Sequence, residues 1–288
     1  MPVETARLIE AIEQRAEREG ALPLLLNFYR ELLEVQLAAE MAFPTPVSHL
    51  DEKAVMARVQ KRQPMLDYAE LKLDMELLRE TFDRVKAVFA DFPDLFNLEA
   101  RVARDLDPEV LLTEETLEAW FRRGEVPISD VTEALNPHLL ENIIRSTMKP
   151  FLLAYSGVLL PGVKMEHWWH SHCPVCGGAA DYAFLDKERG GRWLVCSRCD
   201  SEWTYPRLEC PYCDNKNQHQ LNYYASEAGA HRLYICEKCH QYLKATDLRQ
   251  VGDAFYPPLE RLLTLDMDRQ GVELGYQPGN REPYHGTA

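Results

Sequence analysis

The eight cysteines of this 288-residue chain all lie in its second half, in four C-x-x-C pairs: Cys173/Cys176, Cys196/Cys199, Cys210/Cys213 and Cys236/Cys239. Two residues between cysteines let a tight turn aim both sulfurs at one ion. Two such turns close a tetrahedral cage with metal–sulfur distances of about 2.3 Å for zinc. Nineteen residues separate the first two pairs and 22 the last two. Both gaps are at or near the zinc-ribbon spacing of about 15–20. Four thiolates leave no open coordination position, so such a site is structural or electron-transferring and does no hydrolytic chemistry.

The surroundings of the pairs repeat as well. Residues 180–185 read as a strand, 187–191 as a turn and 192–195 as a strand running into Cys196. Residues 220–224, 227–230 and 232–235 do the same before Cys236. Each later pair leads into a further strand, 202–205 or 241–244. One unit of knuckle, hairpin, knuckle and strand has been copied in tandem. Copying favours pairing of neighbouring knuckles at each ion, with a cross-braced arrangement as the alternative. So small a ribbon has little core, and the metal supplies folding energy, on the order of 10–16 kcal/mol for structural zinc. A thioredoxin-like redox pair would need a βαβ context, which is absent. A disulfide framework would need an oxidising compartment, which nothing signals.

Residues 1–165 contain no cysteine and read as successive helices. Leu71, Met75, Leu78, Phe82, Val85 and Phe89 recur at helical spacing, as do Leu25, Phe28, Tyr29 and Leu32. Thr113, then Glu114 and Glu115, then Leu117, Trp120 and Phe121, then Gly124 spell cap, acidic first turn, apolar face and stop. Asn136-Pro137 opens a helix that Pro150 is expected to bend or break. Pro44-Thr45-Pro46 reads as a loop. A helical pattern returns in Leu259, Leu262, Leu263 and Met267, and the last ten or so residues read as frayed. The expected architecture is therefore α plus small β. A helical domain (1–165) precedes two rubredoxin-like or zinc-ribbon units (166–208 and 209–250), then a C-terminal helix and tail (251–288).

Charge narrows the function. The formal net charge is −14, and neither half is basic. Metallated tetrathiolates would add roughly −2 for each divalent ion. Nucleic-acid affinity rests on phosphate neutralisation, so a nucleic-acid-binding ribbon is disfavoured. No run of apolar residues is long enough to insert in a membrane, and the N-terminus reads as lacking a secretory signal, so the cytoplasm is expected. The chain shows no phosphate-cradling glycine loop, nucleophile elbow or HExxH, so no catalytic residue is assigned. His167, His170 and His172 could extend a metal site, but packing at the start of the first ribbon is the simpler reading. Trp168, Trp169, Glu202, Trp203 and Arg207 are candidate partner-binding residues, with burial of the aromatics at the domain junction as the simpler reading. Glycine follows the first knuckle at Gly177, whereas Asp200, Asp214 and His240 hold that place in the others, which weakens an iron assignment.

The stretch His172-Cys173-Pro174-Val175-Cys176-Gly177 resembles the formate dehydrogenase accessory protein family, FdhE. So do Cys196-x-x-Cys199-x-x-Glu202-Trp203-x-x-x-Arg207-x-x-Cys210-x-x-Cys213 and Cys236-x-x-Cys239-x-x-Tyr242-Leu243-Lys244. Leu265-Asp266 and Gly275-Tyr276 complete a match over about residues 172–276. His240 departs from the glycine expected there. The resemblance implies a non-enzymatic cytoplasmic maturation factor. It would bind the catalytic subunit of respiratory formate dehydrogenase before export and be needed for its activity. It also implies two rubredoxin-like iron ions, with zinc as the alternative. A redox protein passing electrons through iron to that client is the competing function.

Overall fold

Thr113 and Gly124 bound a helix as their chemistry dictates. In a computed structural model that describes residues 2–19, 23–96, 103–127, 137–252 and 255–279, the Thr113 hydroxyl accepts from Thr116 N, and Gly124 takes a left-handed φ of 72°. The chain packs as two units, Met1–Val47 with Asp67–Val158, and Ser48–Leu66 with Leu159–Ala288.

The described helices up to residue 159 run in chain order α1 (Pro2–Glu19), α2 (Leu24–Ala42), α3 (Glu52–Gln60), α4 (Met75–Asp91), α5 (Pro93–Phe96), α6 (Pro108–Leu111), α7 (Glu114–Arg123) and α8 (Pro137–Leu159). All but α3 build the first unit. Asn136 and residues 280–288, on which a helix opening and a frayed tail were expected, lie outside the described residues. Leu78, Phe82 and Val85 of α4 are fully buried, as are Ile143, Ile144, Met148, Phe151 and Leu152 of α8. Phe28 of α2 meets Phe89, Phe92 and Phe96 edge-on, with ring centroids 5.0–5.5 Å apart. The α4 periodicity extends one turn too early in the sequence. Asp74 caps the helix by accepting from Glu76 N and Leu77 N, and Leu71 lies before it in extended backbone.

Of the bend or break expected at Pro150, the break does not occur, and α8 runs through it. A proline removes the hydrogen bond that its own N–H would give to the carbonyl four residues earlier. That carbonyl belongs to Ser146, and the buried Gln36 of α2 supplies the missing donor, Nε2 to O at 2.9 Å. The helix continues because a neighbouring side chain satisfies its orphaned acceptor.

The second unit takes in α3, which the sequence groups with the helical half, and six strands around the cysteines. These are β1 (Ala180–Leu185), β2 (Arg192–Cys196), β3 (Glu202–Thr204), β4 (Leu221–Ala225), β5 (His231–Cys236) and β6 (Gln241–Asp247). Two antiparallel ribbons form as the repeat predicts, but they are not separate beads. β1 pairs with β6 in parallel, Tyr182 opposite Lys244 through Leu185 opposite Asp247, giving one sheet in the order β3-β2-β1-β6-β5-β4. The short β7 (Gln277–Pro278) also joins β6.

The C-terminal helical pattern splits at Thr264 into α9 (Pro257–Leu263) and α10 (Leu265–Glu273). The buried ammonium of Lys244 on β6 donates to Arg261 O and Thr264 O, carbonyls at the break, and to Asp268 Oδ2. Met267 of α10 and Tyr276 then complete an apolar cluster with Leu233, Ile235 and Tyr242 of the second ribbon.

Candidate metal centres

Each knuckle is built by the same backbone. Cys173 N donates to Gly178 O, Cys196 N to Ser201 O and Cys210 N to Asn215 O, at 2.8–3.0 Å. The residue after each pair turns left-handed: Gly177 at φ 72°, Asp200 at 49°, Asp214 at 54° and His240 at 54°. These are the four positions the repeat aligns. Asp and His are among the few side chains that enter this region readily. His240 therefore does not distort its site. Its N–H donates to Cys236 O at 2.9 Å, as Gly177 N does to Cys173 O and Asp214 N to Cys210 O, both at 3.1 Å.

The eight sulfurs gather into two sets of four, Cys173, Cys176, Cys196 and Cys199, and Cys210, Cys213, Cys236 and Cys239. Pairing is thus between neighbouring knuckles, not cross-braced. In the first set Cys173–Cys199, Cys176–Cys196 and Cys176–Cys199 stand 3.5 Å apart, sulfur to sulfur. In the second, Cys210–Cys239 and Cys213–Cys236 stand at 3.7 Å. A tetrahedron with bonds of about 2.3 Å has edges of about 3.8 Å. None of the eight cysteines is in a disulfide, since the sulfurs stand too far apart. The two clusters fit two metal ions, and zinc and iron equally satisfy this donor set.

Burial explains why a cation belongs here. It pushes the thiols of Cys173 and Cys199 well above their ordinary range, so four thiolates at this site require a compensating charge. In the second cluster burial pushes Cys239 up to about 12. Burial also opposes the Cys236 thiolate, but donors from Cys239 N, the Asn215 side chain and Lys238 N outweigh it and bring that thiol to about 7. Further donors reach the sulfurs directly: Val175 N to Cys173 and Arg198 N to Cys196, both at 3.4 Å, and Asn215 Nδ2 to Cys236 at 3.6 Å. A Cβ at Gly178 would crowd Arg198 Cδ at 3.0 Å and Cys196 Sγ at 3.2 Å, so a larger residue there needs those neighbours to shift. The clusters differ in access. All four ligands of the first are buried, whereas Cys213 and Cys239 of the second are partly exposed.

The remaining sequence candidates separate. Trp168 and Trp203 are fully buried, so they are not presented to a partner. Their indole N–H groups donate to His172 O and His170 O. Trp169 is 60 % exposed. Glu202 is half-buried on β3, and Arg207 is exposed between the ribbons. His170 and His172 stack on each other, and His172 Nε2 meets Arg62 O at 3.0 Å. No histidine joins either sulfur cluster among the described residues. The sequence reading missed Arg261 of α9, which reaches Asp181 Oδ1, Asp200 Oδ1 and Cys196 O beneath the first cluster. Its only sequence signal was an aspartate standing where a glycine would serve the backbone.

Comparison with known proteins agrees with this construction. Residues 172–207 match the family model described as FdhE, central domain. A protein FdhE homolog from Pectobacterium carotovorum subsp. carotovorum is 30% identical over 250 residues, covering 78% of each chain. One from Aquifex aeolicus is 27% identical over 258 residues, covering 88% of this chain and 85% of its own. The crystal structure of the FdhE protein from Pseudomonas aeruginosa superposes with a TM-score of 0.61 at 21% identity. It covers 98% of this chain and 95% of that one, which shows a common fold.

Proposed function

Because the chain belongs to the FdhE family, we propose that it is a formate dehydrogenase accessory factor that binds the immature catalytic subunit in the cytoplasm, before export, without catalysing a reaction itself. The observation that carries this reading is the pair of closed four-cysteine clusters built into one continuous sheet. Such clusters hold a surface rigid and offer no position at which a substrate could be ligated. When metal is bound, it supplies folding energy to strands whose own core is small. Among the described residues no helix is long and apolar enough to cross a membrane. Trp169 and Arg207 are the exposed members of the candidate partner surface. The test is co-purification of tagged protein with the formate dehydrogenase catalytic subunit from cells producing both. Stable association supports the proposal, and its absence at native expression levels contradicts it.

Electron transfer through iron is the second reading. It is favoured by the partial exposure of Cys213 and Cys239 and by the N–H donors on the sulfurs, which tune such centres. Protein purified without oxygen should then redden on oxidation. A colourless, zinc-loaded protein excludes it.

A further inference from the structure

Three buried polar atoms without hydrogen-bond partners belong to residues that line one pocket of the second unit. They are Arg192 Nε, Tyr234 Oη and Gln241 Oε1. All three residues line a cavity of about 160 Å³ bounded by the 207–212 linker and by strands β4, β5 and β6. The walls are mainly apolar, from Leu208, Leu221, Tyr223 and Leu243.

Arg192 is the chemical anomaly. It is only 4 % exposed. Its guanidinium donates to two carbonyls of the linker, Pro206 O and Glu209 O, and lies over the rings of Tyr205 and Tyr234 at 5.2 and 6.0 Å. Among the described residues no carboxylate pairs with it. A buried cation without an anion is costly. Cys210 and Cys236 of the second cluster also line the pocket and are the competing source of negative charge. No side-chain hydrogen bond joins them to Arg192, Tyr234 or Gln241 among the described residues, so they leave all three atoms unsatisfied.

We propose that this pocket receives the C-terminal carboxylate of a peptide ending in an apolar residue. The carboxylate meets Arg192 Nε and the Tyr234 hydroxyl. The adjoining amide N–H meets Gln241 Oε1, and the apolar side chain rests against Leu221, Tyr223 and Leu243. One cation and one hydroxyl match a carboxylate better than a dianionic phosphate, which needs more donors. A peptide is favoured over a free acid because β4 ends the strand order and four of its five residues are exposed. Its outer edge can guide the preceding residues of an extended chain. This pocket is independent of the formate dehydrogenase reading, since it specifies a chemical terminus and not a protein.

The test is titration of the full metal-loaded chain with acetyl-Ala-Ala-Leu as the free acid and as the C-terminal amide, followed by calorimetry or NMR. The free acid is expected to bind at least about tenfold more tightly than the amide, the cost of leaving a buried charge unpaired. Arg192→Gln should abolish that preference, and Tyr234→Phe should weaken the acid by about threefold with the fold and both metals intact. If Arg192→Gln fails to fold, Tyr234→Phe and Gln241→Leu carry the test. Equal binding of acid and amide overturns the proposal. So does no binding of either, including the case in which Arg192→Gln merely loosens the second metal.

Discussion

Arg261 and Asp200 meet at 2.8 Å, joining the C-terminal helix α9 to the left-handed residue that closes the second knuckle. The same guanidinium holds Asp181 on β1 and the carbonyl of Cys196, a ligand of the first cluster. An aspartate at a position where glycine would relax the backbone is thus retained for its side chain. The left-handed turn costs it on the order of 1–2 kcal/mol, and a largely buried ion pair offsets that cost.

Arg261→Met is expected to destabilise the protein by about 3 kcal/mol, since it strands two carboxylates beneath the first cluster. Denaturant unfolding of the metal-loaded protein reads this directly. A change below about 0.5 kcal/mol, the range of an ordinary surface substitution, would show that the pair does not secure the knuckle.

Gln36→Leu should cost about 1–3 kcal/mol by leaving Ser146 O buried and unpaired. Adding Pro150→Ala restores the helix's own donor to that carbonyl, so the double variant should recover most of the loss. Additive effects in this double-mutant cycle would mean that the two residues are not coupled.

That pair also marks what a sequence can and cannot reveal. The two sets of four cysteines and both hairpins were legible because spacing and repetition act locally. The α7 caps at Thr113 and Gly124 were legible for the same reason. The uninterrupted α8 was not, because the donor that rescues it comes from Gln36, 110 positions away. The parallel pairing of β1 with β6 was equally hidden, since parallel strands leave no turn signature. Trp168 and Trp203 stood as partner candidates only beside the simpler reading of burial, and they are buried.

The two clusters should release metal at different rates. Cys213 and Cys239 are partly exposed, whereas the first four ligands are buried. A chelator should therefore remove one ion at least about tenfold faster than the other, since exposed ligands open with less unfolding. Cys239→Ser should leave only the slow phase. A single phase for both ions in the wild-type protein would refute the asymmetry.

Asp247 supplies a pH test. The Arg249 guanidinium holds its carboxyl below the usual range, helped by Arg249 N and the charge of Arg232. A folded-state pKa that is lowered gives stability that is complete above the unfolded value of about 3.9 and lost as pH falls through the folded value. Asp247→Asn should therefore cost about 1–2 kcal/mol at neutral pH. The difference from wild type should shrink towards zero in acid. A cost that stays constant across that window would assign the effect to packing.

The account depends on two tetrathiolate ions holding the sheet together, and elemental analysis of protein prepared without oxygen tests it most directly. Two equivalents of zinc or iron per chain are predicted, falling to one in Cys176→Ser together with faster proteolysis of the first ribbon. Less than one equivalent of any transition metal in a fully reduced, protease-resistant sample would contradict it.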